Sequence, residues 1–383
     1  MSITSIPEKV RTRLWGKAAG RCEYEGCNTP LWLDTLTKAE FNTAYIAHII
    51  ADSPGGPRGD TVLSTELAAD ISNLMLLCDQ HHRFVDLQDV AGHPVERLRA
   101  MKLLHERRVE IVTGIAPDKQ SHILLYGANI GQHGAPLSYA EAARAMVPER
   151  YPADTFPLSL GLRNSSYEDR TAAFWSLEAE HLTSMIERQV RPRLMAGDIC
   201  HLSVFGLAPQ PLLILLGSLL SDIPEADVYQ RHREPPGWKW EATPENFEYQ
   251  VSCPSAVKGA PALVFSLSAT IEERRVRAVL GEDVALWRVS IPTPHNDFLR
   301  SRQQTLAFRQ TMRVLMDRVK REAGDSALLH VFPAMPVCLA VELGRILMPK
   351  ADLPLRIYDE NKTIGGFVHA LDVNYNRELR ATC

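Results

Sequence analysis

The chain has 383 residues, 45% hydrophobic and 23% charged, with a net charge of −4. That length predicts about two or three compact units with real cores, and the charge excludes a histone-like nucleic-acid binder. The first 110 residues carry 13 Lys and Arg against 15 Asp and Glu, a balance of −2. Electrostatics therefore lends DNA binding no support there, and any such site must be a local patch or depend on a metal. The opening MSITSIPEKV lacks the apolar core of a signal peptide, and the longest apolar run, Leu212–Leu220, is too short to span a bilayer. Seven cysteines without a secretory signal predict a reducing, cytoplasmic setting with no membrane partner.

In chain order, residues 8–20 predict a helix stopped by Gly20. Cys22 and Cys27 follow as a C-x4-C turn around Glu25-Gly26. Residues 43–50 predict a strand, 53–60 (SPGGPRGD) a loop, and 71–77 an apolar run leading into Cys78. A helix is expected to begin over 80–87. Another is expected over 95–112, with Val95, Leu98, Met101, Leu104, Val109 and Val112 approximating one face. Residues 116–121, within the stretch GIAPDKQS, predict a linker. Beyond it, residues 196–220 and 323–347 repeat weakly at an offset of 127: Ala196, Gly197, Asp198, Val204, Phe205, Pro209, Leu212 and Gly217 all recur. Each copy predicts helix, turn, buried strand, Pro-containing loop and helix, and each follows a first strand, at 122–130 and at 261–271. This is the pattern of two Rossmann-like units fused in one α/β domain over 122–383, with halves at about 122–235 and 255–383.

In such sheets ligands bind beyond the carboxyl ends of the strands, here near Gly127–Asn129, Gly206–Gln210, Ser266–Thr270 and Pro333–Val337. Gln210, Ser268 and Pro336 are thus candidate ligand-binding residues, against the plainer reading that they only turn the chain. Arg231, Arg233, Trp238, Lys239 and Trp240 offer guanidinium and indole planes in a Pro/Gly-rich loop, against the reading of two structural tryptophans. Pro292-Thr293-Pro294-His295 and Asn361-Lys362-Thr363 are weaker candidates. Residues 132–180, with Tyr139, Tyr151 and Tyr167, predict an insertion that covers the pocket or packs on the surface.

The strongest chemical signal is Cys22-x4-Cys27 followed by Cys78-x2-His81. Zinc takes four thiolate or imidazole ligands in a tetrahedron, and two short pairs supply them, so a structural zinc is expected over a set of buried free cysteines. Between and after these ligands lie Ala47-His48-Ile49, Asn73-Leu74 and His82. With the cysteines, this order resembles the HNH nuclease family over roughly residues 15–110, inside an N-terminal domain of 1–115. The resemblance implies a zinc-stapled ββα-metal fold. It implies His48 as general base, Asn73 as the residue fixing the inter-strand loop, and His82 as ligand of a catalytic Mg²⁺ or similar cation. Which of His81 and His82 faces the zinc stays open. Many family members carry an acid before the first His, where this chain has Ala47. Asp86, four residues past His82, is either a replacement metal ligand or a solvated carboxylate.

An HNH unit fused to a duplicated Rossmann-like domain resembles the HNH–SAVED effectors of the CBASS anti-phage system. Their SAVED domains are similar to two fused CARF-type units. The resemblance implies a nuclease that degrades double-stranded DNA once a cyclic di- or trinucleotide from a partner nucleotidyltransferase binds, forming a homo-oligomer on activation. Two other readings are a restriction-type HNH nuclease whose C-terminal domain recognises modified DNA, and a nucleotide sensor that does not cut. His48, Asn73 and His82 weigh against the last, because a purely structural zinc module needs none of them.

Overall fold

The computed structural model describes residues 4–131, 134–162, 168–244, 247–361 and 363–374. Tyr167 and Lys362 lie outside the described residues. The chain divides into two compact units, Met1–Pro117 and Asp118–Cys383. Among the described residues no helix is long and apolar enough to cross a membrane.

Unit 1 opens with α1 (Glu8–Lys17), which has an acid in its first turn and a lysine in its last, as the helix dipole favours. The helix stops at Lys17 because Ala19 and Gly20 turn left-handed. A Cβ on Gly20 would lie 2.8 Å from the Trp32 ring, so the glycine serves the reversal rather than the last turn. Strands β1 (Ala44–His48) and β2 (Leu74–Cys78) pair antiparallel, with Ala44 opposite Cys78 and His48 opposite Leu74. The long connection between them holds the short helix α2 (Leu63–Glu66). Helix α3 (Asp79–Arg83) leaves β2 directly and runs on as a π-helical turn over Phe84–Gln88. Helix α4 (Val95–Thr113) closes the unit. Its buried residues are Leu98, Met101, Lys102 and His105. Leu104 and Val112, expected on the inner face, are exposed, because this helix covers the core only with its first half. Leu14, Ile49, the β2 run Leu74–Leu77, Val85, Leu98 and Met101 form the core.

Unit 2 opens with β3 (Gln120–Gly127), so the last residues of the expected linker already belong to a strand. It continues through α5 (Tyr139–Met146), β4 (Tyr151–Pro152), β5 (Leu158–Ser159), α6 (Ala172–Met185) and α7 (Arg191–Ala196). Then come β6 (His201–Leu207), α8 (Gln210–Leu220), β7 (Glu225–Tyr229) and β8 (Gln250–Ser252). The second half runs β9 (Ala260–Ser266), α9 (Glu273–Leu280), β10 (Val284–Ser290), α10 (Arg302–Ala323), β11 (Leu329–Phe332), α11 (Val337–Ile346), β12 (Leu355–Asn361) and β13 (Gly366–Val373). One sheet has the order β4-β3-β6-β7, with β5 also on β3. The other has the order β13-β12-β11-β9-β10-β8. The central trios β3-β6-β7 and β9-β11-β12 are parallel and occupy equivalent places, as the repeat predicts. The strand expected over 261–271 stops at Ser266 because Leu267 and Ser268 turn to donate to Ala334 O, at 2.9 and 2.8 Å. The stretch 132–180 is not a mere insertion: Phe174 and Trp175 on α6 are core residues.

The halves meet along α8 and α11. A Cβ on Gly217 would lie 1.9 Å from Val341 O, and one on Gly344 would lie 2.0 Å from Ile214 O. Ile214 matches Val341, and Gly217 matches Gly344, at the same offset of 127. The contact is therefore reciprocal, as in a two-fold dimer fused into one chain. Gln210 at the start of α8 accepts from Met335 N just before α11 (3.0 Å), so the helix N-termini lie at one end. Arg345 near the end of α11 donates to Pro224 O after α8, so the C-termini lie at the other.

Candidate functional site

In unit 1 the ligand atoms of Cys22, Cys27, Cys78 and His81 all lie within 4.8 Å of one another. Positive φ at Gly26 and Asn28 curls the first pair into a tight turn, closed by Cys22 N donating to Thr29 O at 3.0 Å. Cys78 ends β2, and His81 stands in the first turn of α3. His81 Nδ1 is 3.8 Å from Cys22 Sγ and 3.1 Å from Cys78 Sγ. A tetrahedral zinc spaces such ligands by about 3.5–3.8 Å, and the two His81 distances bracket that spacing. Burial pushes the Cys22 and Cys78 thiols up, so a cation is what would let this cluster hold thiolates. The structure thus assigns His81, not His82, to the cysteines.

Two residues behind the cluster escaped the sequence reading. Tyr24 stacks on His81 at 4.1 Å between ring centroids and 7° between planes. Its hydroxyl meets His93 Nε2 at 3.0 Å. His93 is fully buried, and its Nδ1 donates to Asp89 O at 2.7 Å, which leaves Nε2 to accept from the tyrosine. Such outer contacts orient a ligating imidazole. A lone Tyr and His with no spacing signature give no sequence cue.

A second constellation lies at the end of β1. His48 is buried, with Nε2 2.9 Å from Ala68 O. A carbonyl only accepts, so Nε2 carries a proton and donates it to Ala68 O. Asn73 is 1% exposed. Its Nδ2 donates to Ile50 O (2.8 Å) and Leu67 O (3.2 Å), and its Oδ1 accepts from Ile50 N (2.8 Å). Asn73 thus pins the segment whose next carbonyl, on Ala68, holds His48.

His82, on α3, stacks on Tyr45 at 4.7 Å, and its Nε2 is 3.4 Å from Asp86 Oδ2. Asp86 is no solvated carboxylate, for its Oδ1 meets Arg58 Nη2 at 2.5 Å. Arg58, in the stretch read from sequence as a loop, also donates to Ile49 O (2.7 Å), Val85 O (3.0 Å) and His48 O (3.4 Å). Ala47 is buried in the core and offers no ligand atom.

In unit 2 the four predicted strand-end segments adjoin. Ala128 N donates to Leu207 O (3.2 Å), Ser268 N to Ala334 O, and Met335 N to Gln210 Oε1. Pro336 caps α11. Arg233 and Lys239 are exposed, and Arg231 pairs with Glu141 at 3.2 Å. Trp238 takes the structural one of its two readings. It is 4% exposed, packed edge-on against Phe205 at 5.2 Å with Arg231 over its ring, so its faces are taken by the fold. Trp240 is half-buried against the same core. Asn361 accepts from Thr363 N and so shapes the β12–β13 turn. An open apolar groove of about 990 Å³, lined by Leu194, Met195, Leu220, Ile223 and Met348, lies at the opposite, C-terminal ends of α8 and α11.

A duplicated parallel-sheet α/β unit with a shared helix pair, carried on one chain with a unit whose Cys/His cluster could hold a metal ion, defines a two-module α/β protein. The family described as "SMODS-associated and fused to various effectors sensor domain", SAVED, matches residues 182–373, and the chain belongs to it. No curated protein matches the chain. Among solved structures, the Cap4 SAVED/CARF-domain receptor of Acinetobacter baumannii with the cyclic trinucleotide 2'3'3'-cAAA is similar, at 13% identity and a TM-score of 0.43. The match covers 82% of this chain and 66% of that one. The same receptor with 3'3'3'-cAAA gives 13% and 0.44, over 82% and 71%. The Moraxella osloensis Cap4 receptor gives 12% and 0.36, over 82% and 70%. This chain thus spans just under two thirds of the first receptor's length.

Proposed function

We propose that this chain is a DNA endonuclease switched on by a cyclic oligonucleotide, with an HNH-type ββα unit as effector and the SAVED unit as sensor. The observation that carries this reading is the placement of His48 at the end of β1. A buried imidazole with its Nε2 proton fixed on Ala68 O, in a loop pinned by Asn73, presents Nδ1 as a base. The Asn73 clamp on the carrying loop, and His82 on the helix that leaves β2, add to that reading.

Cys22, Cys27, Cys78 and His81 would hold the structural zinc, and His82 and Asp86 the catalytic divalent cation. That cation, when bound, would neutralise charge gathering on the phosphoryl oxygens. His48 Nδ1 would take the proton from the attacking water while Ala68 O keeps the ring from turning. In the sensor, a cyclic di- or trinucleotide from a partner nucleotidyltransferase would lie at the adjoining strand ends, within reach of Arg233, Lys239 and the Gln210, Ser268 and Pro336 loops. Arg231 would be available on release from Glu141. Membership of the sensor family and the pairing of these loops across the two halves support that placement. The fused nuclease and sensor suit an anti-phage role of the CBASS type.

Incubating the full chain and Mg²⁺ with plasmid, with and without a panel of cyclic di- and trinucleotides, tests the reading. Cutting that requires one cyclic nucleotide is the expected result. Cutting of modified DNA alone would favour the restriction-type reading, and ligand binding without cutting would favour the sensor that does not cut.

A further inference from the structure

Arg58 is built in at a cost. Its backbone is left-handed, with φ +56°, where a non-glycine residue is strained, and its side chain is only 6% exposed. The loop around it is shaped to allow this. A Cβ on Gly59 would lie 2.5 Å from Pro54 O, and one on Gly56 would lie 2.6 Å from the Ala51 side chain. A buried guanidinium must be paired, and its partner here is Asp86. Its remaining donors go to carbonyls of Ile49 and Val85 and, more weakly, of His48. One side chain therefore ties the end of β1, which carries His48, to the helical segment that carries His82 and Asp86.

We propose that Arg58 is the positioning residue of the His82–Asp86 cation site and sets its preference for a small octahedral ion. This rests on the reading of His82 and Asp86 given above. Arg58 occupies Asp86 Oδ1 and leaves Oδ2 3.4 Å from His82 Nε2. Two ligands at about 2.1 Å from an octahedral ion stand about 3.0 Å apart, so this pair is close to the required edge. With Oδ1 engaged, Asp86 offers one oxygen only. Mg²⁺ and Mn²⁺ accept that mode, whereas Ca²⁺ favours more oxygens and bidentate carboxylates. Freed of Arg58, Asp86 would turn either oxygen, or both, toward the ion.

The test titrates the zinc-loaded full chain with Mn²⁺, read by the electron paramagnetic resonance of free Mn²⁺, and repeats the titration against Ca²⁺. Wild type, Arg58→Gly, Arg58→Lys and His82→Ala are compared. Glycine tolerates the left-handed backbone, and lysine keeps the charge without the fork. Both Arg58 variants are expected to keep their zinc, to bind Mn²⁺ about 10–100-fold more weakly, and to lose preference for Mn²⁺ over Ca²⁺. Added guanidinium should restore Mn²⁺ binding to Arg58→Gly. Wild-type affinity and wild-type preference in either folded variant overturns the proposal. If Arg58→Gly sheds its zinc, Arg58→Lys decides by the same criterion. A wild type that binds Mn²⁺ no better than His82→Ala overturns the cation-site reading itself, whatever Arg58 does.

Discussion

His48 and His201 are both buried imidazoles, and their surroundings give them opposite uses. On the proposed role of His48 as general base, His48→Ala is expected to lower plasmid cleavage by about 10²–10⁴-fold while zinc content and ligand binding persist. Unchanged cutting by this variant would remove His48 from the chemistry. His201, on β6, lies among Ser121, Asp227 and Arg150, with Nδ1 2.8 Å from the Ser121 hydroxyl. Burial first, then the Arg150 charge, pushes its pKa down to about 4, against partial opposition from Asp227. The unfolded chain, with an ordinary imidazole near 6.5, therefore binds more protons between about pH 4 and 6.5. The contribution of His201 is present above pH 6.5 and is lost as pH falls through 4. Denaturant midpoints of wild type should drop over that window more steeply than those of His201→Gln, and parallel curves would refute the assignment. At this scale the clustering of the Cys/His pairs was legible because residue type and spacing carry the signal, and the same cues made His48, Asn73 and His82 candidates. Arg58, Tyr24 and His93 were not, because the contacts that matter, Arg58 to Asp86 across 28 residues and Tyr24 to His93 across 69, are made only by folding.

The glycines of α8 and α11 show how an element is fixed by its neighbour. Gly217→Ala would drive a methyl into the backbone of α11, and Gly344→Ala would do the same to α8. Either change is expected to destabilise the sensor by at least about 1–3 kcal/mol, measured as a shift of its denaturant midpoint, since backbone cannot yield as a side chain tip can. Gly16, inside α1, has nothing within 4 Å of an added Cβ, so Gly16→Ala should stabilise unit 1 by about 0.5–1 kcal/mol. Equal effects at the two sites would mean that helix propensity, not close approach, governs both. The 127-residue repeat made Gly217 and Gly344 visible as equivalent positions. It did not reveal that they touch each other.

Each unit has its own hydrophobic core, so residues 118–383 are expected to fold alone and to bind a cyclic oligonucleotide, read by calorimetry with a ligand panel. Removing zinc with a strong chelator should abolish one of two thermal transitions and leave the other, because metal binding is part of the folding free energy of a small metal-stapled unit. Cys78→Ala should reproduce the effect. Loss of both transitions would show that the units do not fold independently. The charge balance of −2 over the first 110 residues leaves one effector unit little affinity for duplex DNA. Ligand that favours an assembled form would raise the effective concentration of effector units on DNA. Light scattering should then show a mass increase with activator, and an unchanged mass with full cutting at high dilution would place activation within one particle.

The sequence by itself determined the duplicated α/β plan and singled out the four Cys and His side chains that the fold gathers into one cluster. Both are written in local periodicity, or in residue types too rare to cluster by chance. It also marked the strand ends where the two halves would meet. Only the tertiary structure decided between His81 and His82 for the cysteines, turned Trp238 into core, drew 172–185 into the sensor's interior and gave Asp86 a guanidinium partner. Each of those outcomes depends on what packs against a side chain from elsewhere in the fold. Burial and pairing across the chain set that, and periodicity cannot record it.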